Sequence, residues 1–274
     1  MKIAFIGGGN MARALIGGLL QRGFAAEAIS VVEIDAQARA QLAGQFAVRV
    51  GETLGGDVEK SDVILLAIKP QQMRAVAGSL RGLLRDQLVV SIAAGVRTSD
   101  LTRWLGGYAR IVRVMPNTAA LVLAGVSALY AGPAVGAAER QHAEAILTAV
   151  GTTLWVPQEE QMDAVTAVSG SGPAYVFYFM EALQEAAREV GLGPDEARRL
   201  SLQTFVGAAR LAEQSGEEPA LLRERVTSRG GTTERALGCM NDDQLKRKFI
   251  EAVKQAAARS RELGEQLGAK DTTC

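Results

Sequence analysis

Three small residues near the start of the chain have the spacing of a dinucleotide-binding turn. Gly7, Gly9 and Ala12 fit the pattern G-x-G-x-x-G/A, which permits a sharp turn, close approach of the backbone to a pyrophosphate, and close packing of a helix on a strand. The mostly apolar run Lys2–Ile6 precedes the turn, and Met11–Arg22 has the pattern of a helix. Because a helix start presents free N–H groups to an anion, these residues predict a dinucleotide site.

Two acidic residues lie at the end of the next predicted strand, Ile29–Ile34. Glu33 and Asp35 occupy the position where a carboxylate can accept hydrogen bonds from a ribose 2′-OH and repel a 2′-phosphate. The alternative is a solvated strand end with no ligand. We favour the cofactor interpretation because the glycine turn lies one strand earlier.

A second Gly-rich segment, Thr227–Thr233, has the sequence Thr-Ser-Arg-Gly-Gly-Thr-Thr. It places backbone N–H groups and several hydroxyls at the start of a predicted helix, which suits a carboxylate ligand. The alternative is an ordinary loop with a threonine N-cap. The segment Ser169–Gly172 is predicted to be a loop and helix start rather than a nucleophile, because no histidine supports it.

The single histidine, His142, lies on the polar side of a predicted helix and is interpreted as a surface residue. Enzymes that reduce ketones usually need a positioned acid for the developing alkoxide. A C=N bond needs less help, because an imine can be protonated before it is reduced. No cluster of His, Cys and carboxylate residues has metal-ligand spacing, and no metal site is predicted.

The elements that position these residues alternate between strands and helices. Helices are predicted from Pro70 to about Leu80 and from about Ala137 to Val150. This alternation predicts an α/β fold, a doubly wound parallel sheet of the Rossmann type. The predicted strands are Lys2–Ile6, Ile29–Ile34, Val63–Ile68, Leu88–Ala93, Arg110–Met115, Val126–Tyr130 and Thr152–Val156.

Beyond Pro157 the pattern is helical only. Residues 1–157 are therefore predicted to form the dinucleotide-binding domain, and residues 158–274 an all-helical domain. The run Ala174–Met180 is apolar nearly all round, which predicts a subunit interface. The predicted helices run from Gly170 to Gly191, Pro194 to Gly216, Pro219 to Val226, from Thr233 onward, and from Asp242 to Leu267.

The composition excludes several classes of protein. The 274 residues include 30 basic and 30 acidic ones, so no surface for nucleic acid or for an acidic membrane is expected. Cys239 and Cys274 are the two cysteines, which fits a reducing compartment rather than a disulfide framework. No run reaches transmembrane length. We expect a soluble cytoplasmic protein with a small-molecule substrate.

Taken together, these segments resemble the pyrroline-5-carboxylate reductases, which catalyse the last step of proline synthesis. The matching segments follow the order of that family, and the last three are much more specific than the first. They are Ile6–Met11, Ala67–Pro70, Ala93–Gly95, Arg113–Thr118, Ser169–Tyr175 and Thr227–Thr233.

The resemblance implies an N-terminal Rossmann domain, a C-terminal helical dimerisation domain, and homodimers that can assemble into decamers. It also implies NADPH or NADH as cofactor, and transfer of a hydride to the C=N bond to give L-proline. The substrate carboxylate would be held by Ser228, Gly230, Gly231, Thr232 and Thr233, with the Thr233 hydroxyl at the ring nitrogen as the catalytic group. The implied cofactor-binding residues are Gly7, Gly9, Asn10, Met11, Glu33, Ala67, Ile68, Lys69, Pro70, Ala93, Ala94, Gly95 and Asn117.

The chain departs from the family pattern at two positions. Glu33 lies where many members have small polar or basic residues for a 2′-phosphate, and it argues for good use of NADH. Arg229 replaces a proline that is common in the substrate loop, which loosens the loop or adds positive charge near the carboxylate.

Three other functions stay open at this point. The chain could reduce another cyclic imine, or oxidise a 3-hydroxy acid on a similar two-domain plan. The hydroxy-acid enzymes usually need a catalytic lysine on the first long helix after the Rossmann domain, and Ala174–Val190 contains none. The third is a non-catalytic protein that senses a nucleotide, against which the Thr227–Thr233 loop argues.

Overall fold

The computed structural model describes residues 1–269, which form two compact units. Residues 1–171 together with 256–269 form the first unit, and residues 172–255 form the second. The predicted domain boundary at residue 157 stays a prediction, because a compact unit need not end where a functional domain ends. Cys274 lies outside the described residues. None of the helices within residues 1–269 is long and apolar enough to cross a bilayer.

The first unit contains one eight-stranded sheet with the order β3-β2-β1-β4-β5-β6-β7-β8. All neighbouring strands are parallel except β6 and β7. This sheet confirms the predicted Rossmann-type fold. The strands are β1 (Ile3–Ile6), β2 (Ile29–Val32), β3 (Arg49–Gly51), β4 (Val63–Leu66), β5 (Leu88–Ser91), β6 (Ile111–Met115), β7 (Gly125–Ala131) and β8 (Gly151–Trp155).

The alternation of strands and helices predicted a sheet that is parallel throughout. This is wrong for one pair of strands, because β6 and β7 are antiparallel. The connection between β6 and β7 covers only residues 116–124 and contains a short 3₁₀ turn, Thr118–Val122. A parallel crossover needs about a dozen or more residues, whereas a short connection returns the chain antiparallel. β7 therefore runs against β6, with Val114 opposite Leu129.

Helices cover both faces of the sheet, which is why β1 is an apolar run with every residue buried. Leu15, Ile16 and Leu19 pack on one face, and Met73 and Leu80 pack on the other. The helices of the first unit are α1 (Asn10–Gln21), α2 (Ala36–Phe46), α3 (Gly56–Glu59), α4 (Pro70–Leu80), α5 (Thr98–Trp104), α6 (Ala137–Leu147) and α7 (Gln161–Val165).

Four helices and one strand of this unit were not predicted from the sequence. They are α2, α3, α5, α7 and β3. The reason is clearest in α2, where Leu42 is the one buried residue, so that no apolar stripe marks the helix. The α2 N-cap is Asp35, whose carboxylate accepts a hydrogen bond from the N–H of Ala38 at 2.7 Å.

Ser169–Gly172 was predicted to be a loop and helix start. The helix start is confirmed, because a helix begins at Gly172, but the loop is wrong at Ser169 and Gly170, which lie in a helical turn. A π-helical turn, Thr166–Gly170, follows α7 directly, and the N–H of Ser171 donates to the carbonyl of Thr166 at 2.8 Å. Gly170 serves close packing here rather than a turn. A Cβ built on it would lie 2.4 Å from Cε of Met115.

The second unit is helical, as predicted. Its helices are α8 (Gly172–Glu189), α9 (Pro194–Ser215), α10 (Pro219–Arg225), α11 (Thr232–Asp242) and the first part of α12 (Leu245–Ala269). The last helix begins later than predicted, because α11 continues through Asp242. Gln244, with φ of 54°, then separates α11 from the last helix. Within this unit, the rings of Tyr175 and Phe179 each pack edge-on against Phe249. No residue of α8 is buried in the single chain.

Candidate active site

The Gly-rich turn has the shape that a pyrophosphate needs. Gly7 follows β1 with φ of 97°, and a Cβ there would lie 2.6 Å from the carbonyl oxygen of Ala67. Gly9 is the N-cap of α1, and a Cβ there would meet no atom within 4 Å. That open space lies directly before a helix with no acidic residue in its first turn. Ala12 is fully buried. The residues present therefore fit a dinucleotide pyrophosphate at the start of α1.

A cavity of about 400 Å³ adjoins this turn. It lies at the carboxyl ends of the central strands, because β1 pairs with both β2 and β4, and that edge is where open α/β sheets bind ligands. The cavity brings together six of the cofactor residues named from the sequence, which are Gly7, Gly9, Glu33, Ala67, Ile68 and Lys69.

Three more of those residues line a second cavity of about 290 Å³. They are Pro70, Ala94 and Gly95, and the cavity also contains Thr166 and residues from the last turns of α12. Both cavities are in the first unit, and the turn from β4 to α4 takes part in each.

Four of the named cofactor residues line neither of these two cavities in the described part of the chain. Asn10 and Met11 are the first residues of α1, and Ala93 is buried behind the turn after β5. The side-chain oxygen of Asn117 accepts a hydrogen bond from the N–H of Val126 at 3.2 Å. Asn117 therefore stabilises the β6–β7 connection.

Glu33 joins the end of β2 to the Gly-rich turn. One carboxylate oxygen accepts a hydrogen bond from the N–H of Gly8 at 2.8 Å, and the other accepts one from the N–H of Asp35 at 2.9 Å. The carboxylate thus lies on the turn and in the wall of the larger cavity. This places a negative charge where the adenosine ribose of a dinucleotide is recognised.

Arg13 supports the same turn, and the sequence analysis did not predict this role. Its Nε donates to the carbonyl of Gly8 at 3.2 Å, and its terminal nitrogens donate to the side chains of Gln41 and Gln45 on α2. One feature of the sequence could have indicated this role, because Arg13 is a charged residue in the first turn of an otherwise apolar helix. Arg13 fixes the turn against α2.

A buried ion pair supports the second cavity. Arg113, on β6, donates to Glu159 at 3.0 Å, and their side chains are 6% and 16% exposed. Glu159 also accepts hydrogen bonds from the N–H and the hydroxyl of Thr98, at 2.7 and 2.5 Å. Thr98 begins α5, shortly after the turn at Ala94 and Gly95. The pair therefore fixes the start of α5 and the turn that leads to it.

The Gly-rich loop at residues 227–231 belongs to the second unit. Gly230 has φ of 73°, and its N–H donates to the carboxylate of Glu234 at 2.7 Å. The N–H of Gly231 donates to the carbonyl of Ser228 at 3.0 Å. One amide of the loop therefore already binds a carboxylate, supplied by the chain itself.

The threonine N-cap considered from the sequence is wrong. The helix α11 begins at Thr232, and its N-cap is Gly231, which has no side chain to accept a hydrogen bond. Thr233 is the second helical residue and is half-buried. The first amides of a helix have no intrahelical acceptor, so the start of α11 can take an anion.

His142 is remote from the Gly-rich turn. It lines a charged cleft at the amino ends of β4, β5 and β6, which is the opposite edge of the sheet. Within residues 1–269, no three His, Cys, Asp or Glu side chains are grouped as ligands for a metal ion.

Comparison with known proteins places the chain in a family. Residues 159–263 match the model described as pyrroline-5-carboxylate reductase dimerisation, and residues 2–95 match the one described as NADP oxidoreductase, coenzyme F420-dependent. The chain is 48% identical over 268 residues to the pyrroline-5-carboxylate reductase of Pseudomonas aeruginosa, covering 97% of this chain and 98% of that relative.

Solved structures agree with this result. The pyrroline-5-carboxylate reductase of Coxiella burnetii is 40% identical, with a TM-score of 0.91 over 96% of this chain and 98% of that one. The pyrroline carboxylate reductase of Plasmodium falciparum, solved with NADP bound, is 27% identical, with a TM-score of 0.86 over 96% and 98% of the two chains. The resemblance noted in the sequence is confirmed, and the chain belongs to the pyrroline-5-carboxylate reductase family.

Proposed function

We propose that the chain reduces 1-pyrroline-5-carboxylate to L-proline with NADPH or NADH. The observation that carries the proposal is identity of 48% across 97% of the chain to a pyrroline-5-carboxylate reductase. Two features support it independently of the family name. They are the pyrophosphate-shaped turn at Gly7 and Gly9, and a helix start at Thr232 beside a loop amide that binds a carboxylate.

The cofactor is held at the carboxyl edge of the sheet. The pyrophosphate lies against Gly9 and the free N–H groups of α1, together with Asn10 and Met11. We assign Ala67–Pro70, Ala94 and Gly95 to the nicotinamide half. Ala93 supports this half from its buried position, and Asn117 acts through the β6–β7 connection that it stabilises. When bound, the reduced nicotinamide supplies the hydride that C5 of the pyrroline ring receives.

The substrate carboxylate is held at the start of α11. We assign the substrate carboxylate to the backbone N–H groups of Ser228, Gly230, Thr232 and Thr233, and the bond from Gly230 to Glu234 is an example of such a contact. Gly231 shapes the loop, because its own N–H donates to the carbonyl of Ser228. For the substrate to use the Gly230 amide, Glu234 must move away, and its exposed position permits this. The exposed side chain of Arg229 adds a positive charge to the loop. The protein thus contributes orientation and carboxylate binding.

Thr233 is the proposed catalytic residue. The ring nitrogen gains a proton as C5 is reduced, and a hydroxyl beside the nitrogen orients it and stabilises the amine that forms. A hydroxyl suffices for this role because the imine is readily protonated in water.

We also propose that NADH is used at least as well as NADPH. The carboxylate of Glu33 lies at the end of β2, and it can accept a hydrogen bond from the ribose 2′-OH while repelling a 2′-phosphate.

The active form is proposed to be a homodimer that can assemble further into a decamer. Phe177 and Tyr178 on α8 are 63% and 67% exposed in the single chain, which is unusual for large apolar side chains. The match of residues 159–263 to a dimerisation model supports the same conclusion. A cytoplasmic location is proposed, because two cysteines in 274 residues do not form a disulfide framework.

One assay separates this function from its alternatives. The full chain is mixed with NADH or NADPH and with either 1-pyrroline-5-carboxylate or a six-membered cyclic imine. In a third assay it is mixed with the oxidised cofactor and a 3-hydroxy acid. We expect cofactor oxidation and equimolar L-proline with the first substrate only. Faster turnover of either other substrate would contradict the proposal. Cofactor binding with no turnover of any of them would favour a nucleotide-sensing protein.

A further inference from the structure

A guanidinium lies beneath the end of β2, next to the wall of the larger cavity. Arg39, on α2, donates to the carbonyls of Glu33 and Ile34 at 2.7 and 2.8 Å. Its other terminal nitrogen donates to the carboxylate of Glu52 at 3.1 Å. The side chain of Arg39 is 19% exposed. Three bonds thus hold a positive charge at the strand end where Rossmann proteins recognise the adenosine ribose.

Glu52 belongs to the same cavity wall as Glu33. It follows β3, and β3 is aligned with β2 so that Gly51 lies opposite Val32. Glu33, Ile34 and Glu52 therefore line one end of the cavity together, and Arg39 is bonded to all three. Two carboxylates therefore line this end of the cavity. The Arg39 guanidinium adjoins it through its bonds to the Glu33 and Ile34 carbonyls and to the Glu52 carboxylate.

The two cofactors differ only at the adenosine 2′ position, and they make opposite demands on these charges. A 2′-hydroxyl is bound by a carboxylate, whereas a 2′-phosphate needs an arginine and is repelled by carboxylates. The chain has both kinds of group at one strand end. Which cofactor it prefers therefore depends on whether the Arg39 guanidinium is engaged by Glu52 or by the ligand.

We propose that Glu52 is a second determinant of cofactor choice, because it engages Arg39 and keeps this guanidinium from a 2′-phosphate. The pair is partly exposed, since the Glu52 side chain is 67% exposed. Ion pairs of that kind are weak and easily exchanged. Removal of the Glu52 charge therefore leaves Arg39 anchored on the two carbonyls with one terminal nitrogen free for a phosphate oxygen. The proposal rests on the cofactor site of the proposed function.

The test is direct binding of NADP⁺ and NAD⁺ to the full chain, measured by titration calorimetry at low ionic strength. We compare the parent with Glu52→Gln, Arg39→Gln and the double variant. Glu52→Gln should raise the affinity ratio of NADP⁺ to NAD⁺ by about fivefold, the upper end of what one exposed charge contact contributes. The double variant should lose that gain, because it lacks the Arg39 guanidinium that would bind the 2′-phosphate.

The matched control is Asp57→Asn. Asp57 forms a comparable exposed pair with Arg49 at 3.4 Å, and it does not line the cavity. This variant should leave the affinity ratio at the parental value. If it raises the ratio as Glu52→Gln does, the effect comes from net charge and the proposal is wrong.

Two other results would overturn the proposal. The first is no change of the ratio in Glu52→Gln, and the second is a gain that survives in the double variant, which would make Glu52 a simple repulsive charge. Arg39→Met, with a long unbranched side chain, replaces Arg39→Gln if that variant does not fold. Turnover is measured separately. A protein that fails to make proline but changes its cofactor ratio as expected would contradict the proposed reaction and support the role of Glu52.

Discussion

The carboxylate of Glu33 accepts a hydrogen bond from the backbone N–H of Gly8 at 2.8 Å, which joins the end of β2 to the turn after β1. The bond places a negative charge against the Gly-rich turn before any ligand arrives. In the proposed cofactor site, a carboxylate would face the ribose and free helix N–H groups would face the pyrophosphate. These two features of the cavity lead to separate predictions.

Glu33→Ser is predicted to improve the use of NADPH relative to NADH. The parent should use NADH at least as well as NADPH, because the carboxylate repels the 2′-phosphate. The measurement is kcat/KM for both cofactors. Glu33→Gln is the control that keeps an oxygen for the Gly8 N–H but removes the charge, and it should shift the ratio in the same direction. A strong NADPH preference in the parent that Glu33→Ser leaves unchanged would contradict this interpretation.

Gly9→Ala is predicted to weaken cofactor binding without unfolding the protein. The added methyl meets no protein atom within 4 Å, but it enters the space assigned to the pyrophosphate. Overpacking by a methyl typically costs about 1–3 kcal/mol, so the KM for NADH should rise about tenfold or more.

Gly44→Ala is the matched control for that variant. Gly44 lies in α2, where a Cβ also meets nothing within 4 Å, and it does not line the cavity. Its kinetics should remain parental. Equal KM values for the cofactor in Gly9→Ala and the parent would show that the pyrophosphate lies elsewhere.

Arg113→Met is predicted to destabilise the fold strongly. It removes the cation that pairs with Glu159 in a mostly buried position and leaves this carboxylate only its bonds from Thr98. Breaking a buried pair typically costs about 3–5 kcal/mol. The free energy of unfolding from urea titration measures this loss. Glu251→Gln removes an exposed pair with Lys254 and should cost less than about 1 kcal/mol. Equal stability losses in the two variants would contradict the burial argument.

Phe177→Glu is predicted to weaken self-association. Phe177 is 63% exposed on α8 in the single chain, and a carboxylate there cannot be buried without a partner. Light scattering at low micromolar concentration should show a dimer or larger species for the parent and a smaller species for the variant. An active, well-folded parental monomer would refute the interface. Glu189→Gln, at the end of α8, is the control.

Local patterns were enough to predict the elements that carry the cofactor turn. The apolar run of β1 is unbroken because Ile3 and Phe5 are buried on one face of the sheet and Ala4 and Ile6 on the other. The glycine spacing then predicts the turn, because Gly7, Gly9 and Ala12 follow the strand directly and need no distant residue to mark the motif.

The contacts around the ribose could not be predicted in the same way. Glu33 meets Gly8 across 25 residues, and Arg39 meets Glu52 across 13, so that only the folded sheet brings them together. Arg39 also resembles an ordinary surface arginine in sequence, since it stands in no motif. The helix start at Thr232 was placed one residue late, because a glycine N-cap carries no polar side chain to mark it.

The central claim is that the chain reduces 1-pyrroline-5-carboxylate with the substrate at the start of α11 and Thr233 at its ring nitrogen. A hydroxyl there gains strength as the amine forms, so its loss should lower kcat more than it weakens cofactor binding. Thr233→Ala should lose about 10- to 100-fold in kcat, at the low end of general acid–base effects because the imine protonates readily. Thr233→Ser should retain most of the activity.

The most direct measurement is kcat for proline formation in these two variants and in Thr232→Ala, with the melting temperature of each. Thr232→Ala keeps its backbone N–H and should lose little activity. The account predicts that Thr233→Ala melts near the parental temperature and turns over about 10- to 100-fold more slowly. A Thr233→Ala protein that is less stable than the parent but forms proline at the parental rate would contradict it.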